Sequence, residues 1–227
     1  MISKGFVRCL AKISGDGYLN NKYIRYSNTC RELLEEFRKD ITKEFGKIKF
    51  TEGIGNSGTP FIQIHGKTII NKFLEYQKDF RSKVIFIPRV IKNSSKSIQR
   101  EYLRAFYDDE GCPSLRLFNK TKEWKRSISL TSNSIMLLKD VKKLLLNNFG
   151  IKSNKIIRTK KNSNYDRSFV LTITGKDNLT EFKDNIGFKH PNKIRRLNFI
   201  LRSYEATSRN KEKFEKIRRE LVIPFVK

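Results

Sequence analysis

Phe6-Val7-Arg8-Cys9-Leu10-Ala11-Lys12-Ile13-Ser14-Gly15-Asp16-Gly17 and, further along, Glu101-Tyr102-Leu103-Arg104-Ala105-Phe106-Tyr107-Asp108-Asp109-Glu110-Gly111 share one design. Each is an amphipathic, helix-like run that closes on an acidic residue followed by glycine, and each precedes a stretch that reads as a β-hairpin. One such ending is an ordinary turn, because glycine commonly terminates helices. Two of them, at equivalent places in a strongly basic chain, read as two copies of one module, each delivering a carboxylate to a shared place.

Working outward, Ser3 is a candidate cap for the first helix, and Gly17 to Asn28 reads as a hairpin turning at Asn20-Asn21-Lys22. Asn28 or Thr29 then caps a second helix, whose Leu33, Leu34, Phe37, Ile41 and Phe45 follow the helical period up to Gly46. Lys47 to Glu52 and Phe61 to His65 alternate as strands, and Lys67 to Phe80 reads as a third helix. The second half repeats the order. A helix starts at Ser95 or Ser97, and strands at Leu115–Phe118 and Ser127–Thr131 follow it. Next come a helix from Ser134 to Phe149, strands at Lys155–Lys160 and Phe169–Thr174, and a helix from Asp177 to Ile186. Ile62-Gln63-Ile64-His65-Gly66-Lys67 and Leu171-Thr172-Ile173-Thr174-Gly175-Lys176 echo one another. A repeat of roughly 100 residues is too long for a solenoid, so the expectation is an α+β fold of two pseudo-symmetric αββαββα modules. They would occupy residues 1–83 and 95–190, joined by a linker at 84–94. A helical extension at 191–227 would hold helices at 192–204 and 209–221.

Composition narrows the function. The 227 residues carry 49 Lys+Arg against 23 Asp+Glu, a formal net charge of +26, and the pI of about 10.1 is that of a polyanion binder. Neither a membrane span nor a signal pattern is visible, so no membrane partner is expected. The chain is placed inside a cell, in prokaryotic cytoplasm or an organelle matrix. Cys9, Cys30 and Cys112 share no metal-ligand spacing, and with only His65 and His190 a zinc or histidine-metal site is disfavoured. Any metal would be held by oxygen, which points to Mg²⁺ or a similar hard cation.

Residues four apart share a helix side, so Ala11 and Gly15 make a small-residue stripe, matched by Ala105 in the second run. If these helices pack together, their C-terminal ends bring Asp16 and Glu110 side by side. Paired carboxylates raise a pKa or recruit cations, and the negative ends of two helix dipoles add to the attraction. Divalent ions there can generate hydroxide and stabilise a scissile phosphate.

Cys9-Leu10-Ala11-Lys12-Ile13-Ser14-Gly15-Asp16-Gly17 and Leu103-Arg104-Ala105-Phe106-Tyr107-Asp108-Asp109-Glu110-Gly111 resemble the two LAGLIDADG motifs of single-chain homing endonucleases, and Ile87-Pro88 also looks like that family. The resemblance covers residues 1 to about 190. It implies a monomer whose two antiparallel sheets form a saddle on double-stranded DNA. The implied activity is a Mg²⁺-dependent, site-specific endonuclease that makes a staggered cut in a long pseudo-palindromic target, leaving short 3′ extensions. Asp16 and Glu110 would be catalytic and ligate metal, with the Gly15 and Asp109 carbonyls assisting. Lys12 departs from an apolar norm and suggests a partly solvated face. Asp109 departs from a small residue and questions a close helix crossing. Members of the family often have a lysine near the end of the second strand, but Ser27-Asn28-Thr29 and Thr131-Ser132-Asn133 contain none.

If Ile24, Tyr26, Ile128 and Leu130 face the core, strand alternation turns other residues outward. Those are Tyr23, Arg25, Ser27, Lys47, Lys49, Thr51, Gln63, His65, Ser129, Thr131, Thr172 and Thr174. With Arg116, Lys120, Lys122, Arg126 and Lys160 they are the candidate DNA-binding residues, mixing base-reading groups with phosphate contacts. The alternative is an RNA-binding splicing maturase on the same scaffold, with intron RNA as partner. A DNA-binding regulator without nuclease activity is a third reading. An intein is disfavoured, since the chain starts with Met and ends Pro224-Phe225-Val226-Lys227 rather than in a His-Asn junction.

Overall fold

The computed structural model describes residues 2–118, 123–159 and 168–205, with the single residues 212 and 216. Helix α1 (Lys4–Ser14) starts at Ser3, whose Oγ accepts the Phe6 N–H at 3.1 Å. Strands β1 (Gly17–Leu19) and β2 (Tyr23–Ser27) form the first hairpin, where Asn20 Oδ1 accepts from the Lys22 and Tyr23 N–H groups at 2.8 and 2.9 Å. Then come α2 (Arg31–Phe45), β3 (Phe50–Ile54), β4 (Pro60–His65) and α3 (Lys67–Tyr76). A short α4 (Arg89–Lys92) lies in the connection, pinned by Asp140, which accepts from Lys92 Nζ at 3.0 Å and from the Ile87 N–H at 3.3 Å. The second module is α5 (Lys96–Glu110), β5 (Gly111–Phe118), β6 (Glu123–Ser132), α6 (Ile135–Phe149), β7 (Ile157–Arg158), β8 (Phe169–Thr174) and α7 (Lys176–Asn185). Helix α8 (Pro191–Arg202) and a 3₁₀ turn, Ser203–Glu205, follow.

The two sheets have the same topology, β1-β2-β4-β3 and β5-β6-β8-β7, antiparallel throughout. This is the α+β architecture of two like modules that the sequence predicts. Ile24 pairs with Ile64 and Tyr26 with Ile62; Ile128 pairs with Ile173 and Leu130 with Leu171. All eight are buried and form the floor on which the helices sit. Helix α2 lays Leu33, Leu34, Phe37 and Ile41 on its floor, and α6 lays Leu137, Leu138, Val141 and Leu145 on the other. Full burial of each such side chain stabilises by about 1.5–3 kcal/mol. One apolar cluster runs through both modules by way of α1 and α5.

Several expectations shift. Helix α2 is capped at Cys30 without a side-chain bond; Asn28 instead accepts the Cys30 N–H on Oδ1 at 2.9 Å, which frees its amide N–H groups for the junction described below. Strand β3 starts at Phe50, so Lys47 and Lys49 precede it. Helix α3 stops at Tyr76 rather than Phe80, because Gln77 turns extended and donates its amide to the Asp79 carbonyl at 2.9 Å. The β5–β6 hairpin is longer than expected and β7 shorter. The helix expected at 209–221 lies outside the described residues, apart from 212 and 216. Among the described residues, no helix is long and apolar enough to cross a membrane.

Candidate active site at the junction of the two modules

Helices α1 and α5 lie against each other with Ala11 and Ala105 fully buried. At the end of the crossing, a Cβ on Gly15 would stand 2.9 Å from Asp109 Cβ, so only glycine admits Asp109 there. The chain then folds sharply back. A Cβ on Gly17 would meet Ile13 Cα at 2.4 Å, and one on Gly111 would meet the Tyr107 carbonyl oxygen at 2.5 Å. Both glycines are thus required by close approach, and both hairpins leave their helices the same way.

This geometry sets Asp16 just past the end of α1 and Glu110 at the last position of α5. Asp16 is exposed and Glu110 half-buried. Burial and then the Asp16 charge push the Glu110 carboxyl up to about 7, against the pull of Lys193. Asp16 is also raised by desolvation, opposed by Lys193, by a hydrogen bond from Asn28 and by Lys12. Lys193 thus acts on both carboxyls, and the Asp16 charge acts on Glu110.

Asp109 reaches across to the first module. Its Oδ1 accepts from Tyr26 Oη at 2.6 Å and from Asn28 Nδ2 at 3.2 Å, and Asn28 Nδ2 also donates to Asp16 Oδ2 at 3.0 Å. Burial raises the Asp109 carboxyl well above the ordinary range, Lys12 opposes this and Asp16 adds to it. Asp109 Oδ2 is enclosed without a hydrogen-bond partner. The expectation that Asp109 hinders a close crossing is corrected: Gly15 makes the room, and Tyr26 and Asn28 bind the carboxylate.

The expected solvation at Lys12 is also corrected. Lys12 is 0% exposed; its Nζ lies 3.3 Å from Glu36 Oε2 and 4.9 Å from the Tyr26 ring centroid. Glu36 anchors an ion network along the seam. Arg104 Nη2 reaches its Oε1 at 2.8 Å and Lys189 Nζ at 3.4 Å. Burial alone would raise the Glu36 carboxyl, but Lys12 and Arg104 hold it below the ordinary range. Arg8 joins Asp40 at 2.5 Å and Glu101 at 2.8 Å, so α1, α2 and α5 are cross-linked by charge.

Sequence reasoning missed Lys193. From the first turn of α8, its Nζ donates to the carbonyls of Asp108 at 2.5 Å, Asp109 at 2.9 Å and Tyr107 at 3.3 Å, the last carbonyls of α5. The start of α8 is fixed by Asp108, whose Oδ1 accepts the Lys189 and His190 N–H groups at 2.8 and 2.9 Å.

The oxygen set suits a hard divalent cation. Among the described residues, no group of three or more His, Cys, Asp and Glu side chains forms a metal site. The two carboxylates would need carbonyls, water or phosphate to complete a shell. Burial, with the Asp16 charge beside it, raises the Glu110 and Asp109 carboxyls, and Asp109 Oδ2 is enclosed without a hydrogen-bond partner.

Residues 97–187 match a family model described as a LAGLIDADG-like domain, and the solved structures that align on most of the chain include LAGLIDADG homing endonucleases. The chain has the two-module LAGLIDADG fold. It aligns with I-DmoI in complex with DNA and Ca at 16% identity and a TM-score of 0.58, over 86% of this chain and 97% of that one. It aligns also with the N-terminal LAGLIDADG domain of DUF199/WhiA at 15% identity and a TM-score of 0.54, over 82% and 83%. Two curated relatives come from Methanocaldococcus jannaschii. A replication factor C small subunit is 27% identical over 94% of this chain and 11% of the relative. A glutamine–fructose-6-phosphate aminotransferase is 27% identical over 86% and 17%. The chain thus spans between about a tenth and a sixth of the length of these relatives.

The outward faces of the LAGLIDADG sheets hold most of the remaining candidates. Tyr23, Arg25 and Ser27 alternate with buried Ile24 and Tyr26, as expected. Arg25 stacks on the Phe61 ring at 4.1 Å and donates from Nε and Nη2 to Gln63 Oε1 at 2.9 and 2.6 Å; Gln63 Nε2 donates to His65 Nε2 at 2.8 Å. Gln63 is therefore on the outward row but only 9% exposed, covered by its neighbours, while His65, Thr51, Lys47 and Lys49 are exposed. On the second sheet Ser129, Thr172 and Thr174 are half-buried and Thr131 and Arg116 exposed; Cys112, Ser114, Arg116, Lys125, Ser127, Ser129 and Thr172 line a shallow hollow. Arg126 is a correction. It lies on the inward row with Ile128 and Leu130, and donates to Ser203 Oγ and the Ser203 carbonyl at 2.7 Å each while stacking on Tyr204. Strand parity turns it to the C-terminal extension, away from the outward face. Lys120, Lys122 and Lys160 lie outside the described residues.

Proposed function

We propose that this chain is a monomeric, metal-dependent, site-specific DNA endonuclease that makes a staggered double-strand cut in a long pseudo-palindromic target. What supports the reading is that each module ends its junction helix on a carboxylate, Asp16 after α1 and Glu110 at the end of α5, and that burial and then the Asp16 charge raise Glu110 to about 7. The formal net charge of +26 supports a polyanionic substrate. So do the outward rows of Tyr23, Arg25, Ser27, Thr51, His65, Arg116, Ser129, Thr131, Thr172 and Thr174, with Lys47 and Lys49 as phosphate contacts. Likeness to chain-length stretches in two relatives with unrelated names also supports a segment that moves between genes.

Asp16 and Glu110 would hold Mg²⁺ with help from the Gly15 and Asp109 carbonyls. The ion would supply activated water and charge stabilisation at the scissile phosphate. Asn28 orients Asp16 through its 3.0 Å hydrogen bond, and Tyr26 and Asn28 hold Asp109 inward. Gly15 and the fully buried alanines set the separation of the two carboxylates. The unequal outward rows of the two sheets suit a target with two similar but unequal halves.

The test is cleavage, with Mg²⁺, of DNA from the chain's own locus with the reading frame removed and its flanks joined. Linear product with short 3′ extensions is expected. Asp16→Asn or Glu110→Gln abolishes cutting and leaves binding intact; near-wild-type cutting by either variant refutes the assignment. A second reading is a LAGLIDADG-fold protein that binds nucleic acid without cutting; tight binding with no metal-dependent cleavage would favour it.

A further inference from the structure

Lys193 belongs to neither LAGLIDADG module, yet its ammonium sits on the three carbonyls that close α5, including that of Asp109 at 2.9 Å. Asp16 and Glu110, two of the carboxylates raised by burial, are both pulled back by this one side chain. Its position is built rather than incidental. Asp108 clamps the Lys189 and His190 N–H groups, Pro191 opens α8, and His190 Nδ1 accepts the Asn192 N–H at 3.3 Å, so the first turn of α8 is held against the end of α5. A helix C-terminus attracts cations through its unpaired carbonyls, and Lys193 supplies one from within the chain.

We propose that Lys193 is a resident counter-cation of the junction, which competes with the divalent ion for the Asp109 carbonyl and for the field of Asp16 and Glu110. This deepens the proposed function and rests on its assignment of Asp16 and Glu110 as ion ligands. A divalent ion that takes the Asp109 carbonyl displaces the ammonium from it, and while Lys193 stays close its charge weakens the ion's binding. The C-terminal extension thereby sets how much free divalent ion the site needs.

The experiment is calorimetric titration of the full chain with Mn²⁺, without DNA, at pH 7. Lys193→Met and Lys193→Gln, which remove the charge, tighten Mn²⁺ binding by about tenfold or more, because a unit charge a few ångströms from the ion is removed. Lys193→Arg keeps the charge and stays within a few-fold of wild type. In chelator, the Met and Gln variants melt at lower temperature than wild type, and saturating Mn²⁺ raises their melting temperature by more, as tighter binding requires. Unchanged or weaker Mn²⁺ binding in the folded neutral variants overturns the proposal. If Lys193→Met does not fold, Lys193→Gln, whose amide still reaches a carbonyl, decides. The double variant Asp16→Asn, Glu110→Gln separates the two readings. If it binds Mn²⁺ like wild type, the ligand assignment is wrong. If it loses Mn²⁺ while the neutral Lys193 variants match wild type, only the role of Lys193 is wrong.

Discussion

Replacing Glu36 by Gln should destabilise the protein far more than replacing Lys12 by Met, although the two side chains form one ion pair at 3.3 Å. The asymmetry follows from what each change leaves behind. Arg104 keeps Asp108 at 3.1 Å and Glu101 at 3.1 Å, and Arg8 keeps Asp40 and Glu101. Lys12 keeps the Tyr26 ring, its hydroxyl at 3.5 Å and the field of Asp109, but loses its ion-pair partner, and at 0% exposure it cannot turn to water. An attraction at that distance is worth about 5 kcal/mol at an effective dielectric near 20, and leaving one partner of a buried pair uncompensated costs about 3–5 kcal/mol. In Lys12→Met, Glu36 retains Arg104 at 2.8 Å and Lys189 at 3.4 Å on Oε1 and loses only the partner of Oε2. That loss costs about 1–2 kcal/mol. The double variant removes the orphaned ammonium, so the two changes should couple favourably by about 2 kcal/mol or more. Equilibrium urea unfolding of the four proteins in chelator measures all these differences. A cost below about 1 kcal/mol for Glu36→Gln, or a double variant no more stable than Glu36→Gln alone, would show that Lys12 is solvated or otherwise paired and that the seam is not held as described.

Gly15→Ala forces a methyl to 2.9 Å from Asp109 Cβ, so a loss of about 1–3 kcal/mol is expected in thermal or urea unfolding. A neutral result would mean that the crossing yields easily. Glu110 gives the protein a pH signature. Its carboxyl is raised from 4.5 to about 7 on folding, so its contribution favours the native state at low pH and is lost as pH rises from about 4.5 through 7. The full shift corresponds to about 3 kcal/mol, reduced to about 1–2 kcal/mol by its partial contact with water. In chelator, the wild type should therefore lose that much more stability than Glu110→Gln between pH 4.5 and 7. Parallel stability curves for the two proteins would place Glu110 in free solvent.

What the sequence made legible is what local physics dictates. The αββαββα order was visible because Ser3 caps, Gly46 and Gly150 stop their helices, and Ile24/Tyr26 and Ile128/Leu130 alternate on period two. The carboxylate pair is visible because Ala11 and Gly15 precede Asp16 and Ala105 stands before Glu110 at the place matching Ala11. The cross-chain partners were not. Lys12 reads as a solvated charge until α2 brings Glu36 beside it, and Asp109 reads as a misfit until Gly15, Tyr26 and Asn28 surround it. Asn28 passed for a helix cap when its amide binds two aspartates. Lys193 has no local signal that sets it apart from Arg195 or Arg196; only the docking of α8 reveals it. Arg126 shows the converse: it reads as a DNA contact, although period-two alternation sets it on the inward row with Ile128.

The strong positive charge of the chain and the acidity of its junction are parts of one electrostatic arrangement. Glu36, Asp40, Glu101 and Asp108 lie along the seam, tied to Arg8, Lys12, Arg104 and Lys189, so their charge is compensated locally. The cations in excess are left for the outer surfaces, where they attract phosphate over distances limited by screening. At the mouth of the seam the balance changes: Lys193 sits on the last α5 carbonyls and draws the Asp16 and Glu110 carboxyls down, while burial and then the Asp16 charge still raise Glu110. On the proposed function, a phosphodiester drawn in by the basic surface would meet the Asp16 and Glu110 carboxyls at the point where the modules join. A divalent cation at that spot would remove the repulsion, which ties close approach of the backbone to ion binding and makes the net charge of the junction, rather than that of the whole protein, the quantity that decides whether a phosphate can enter.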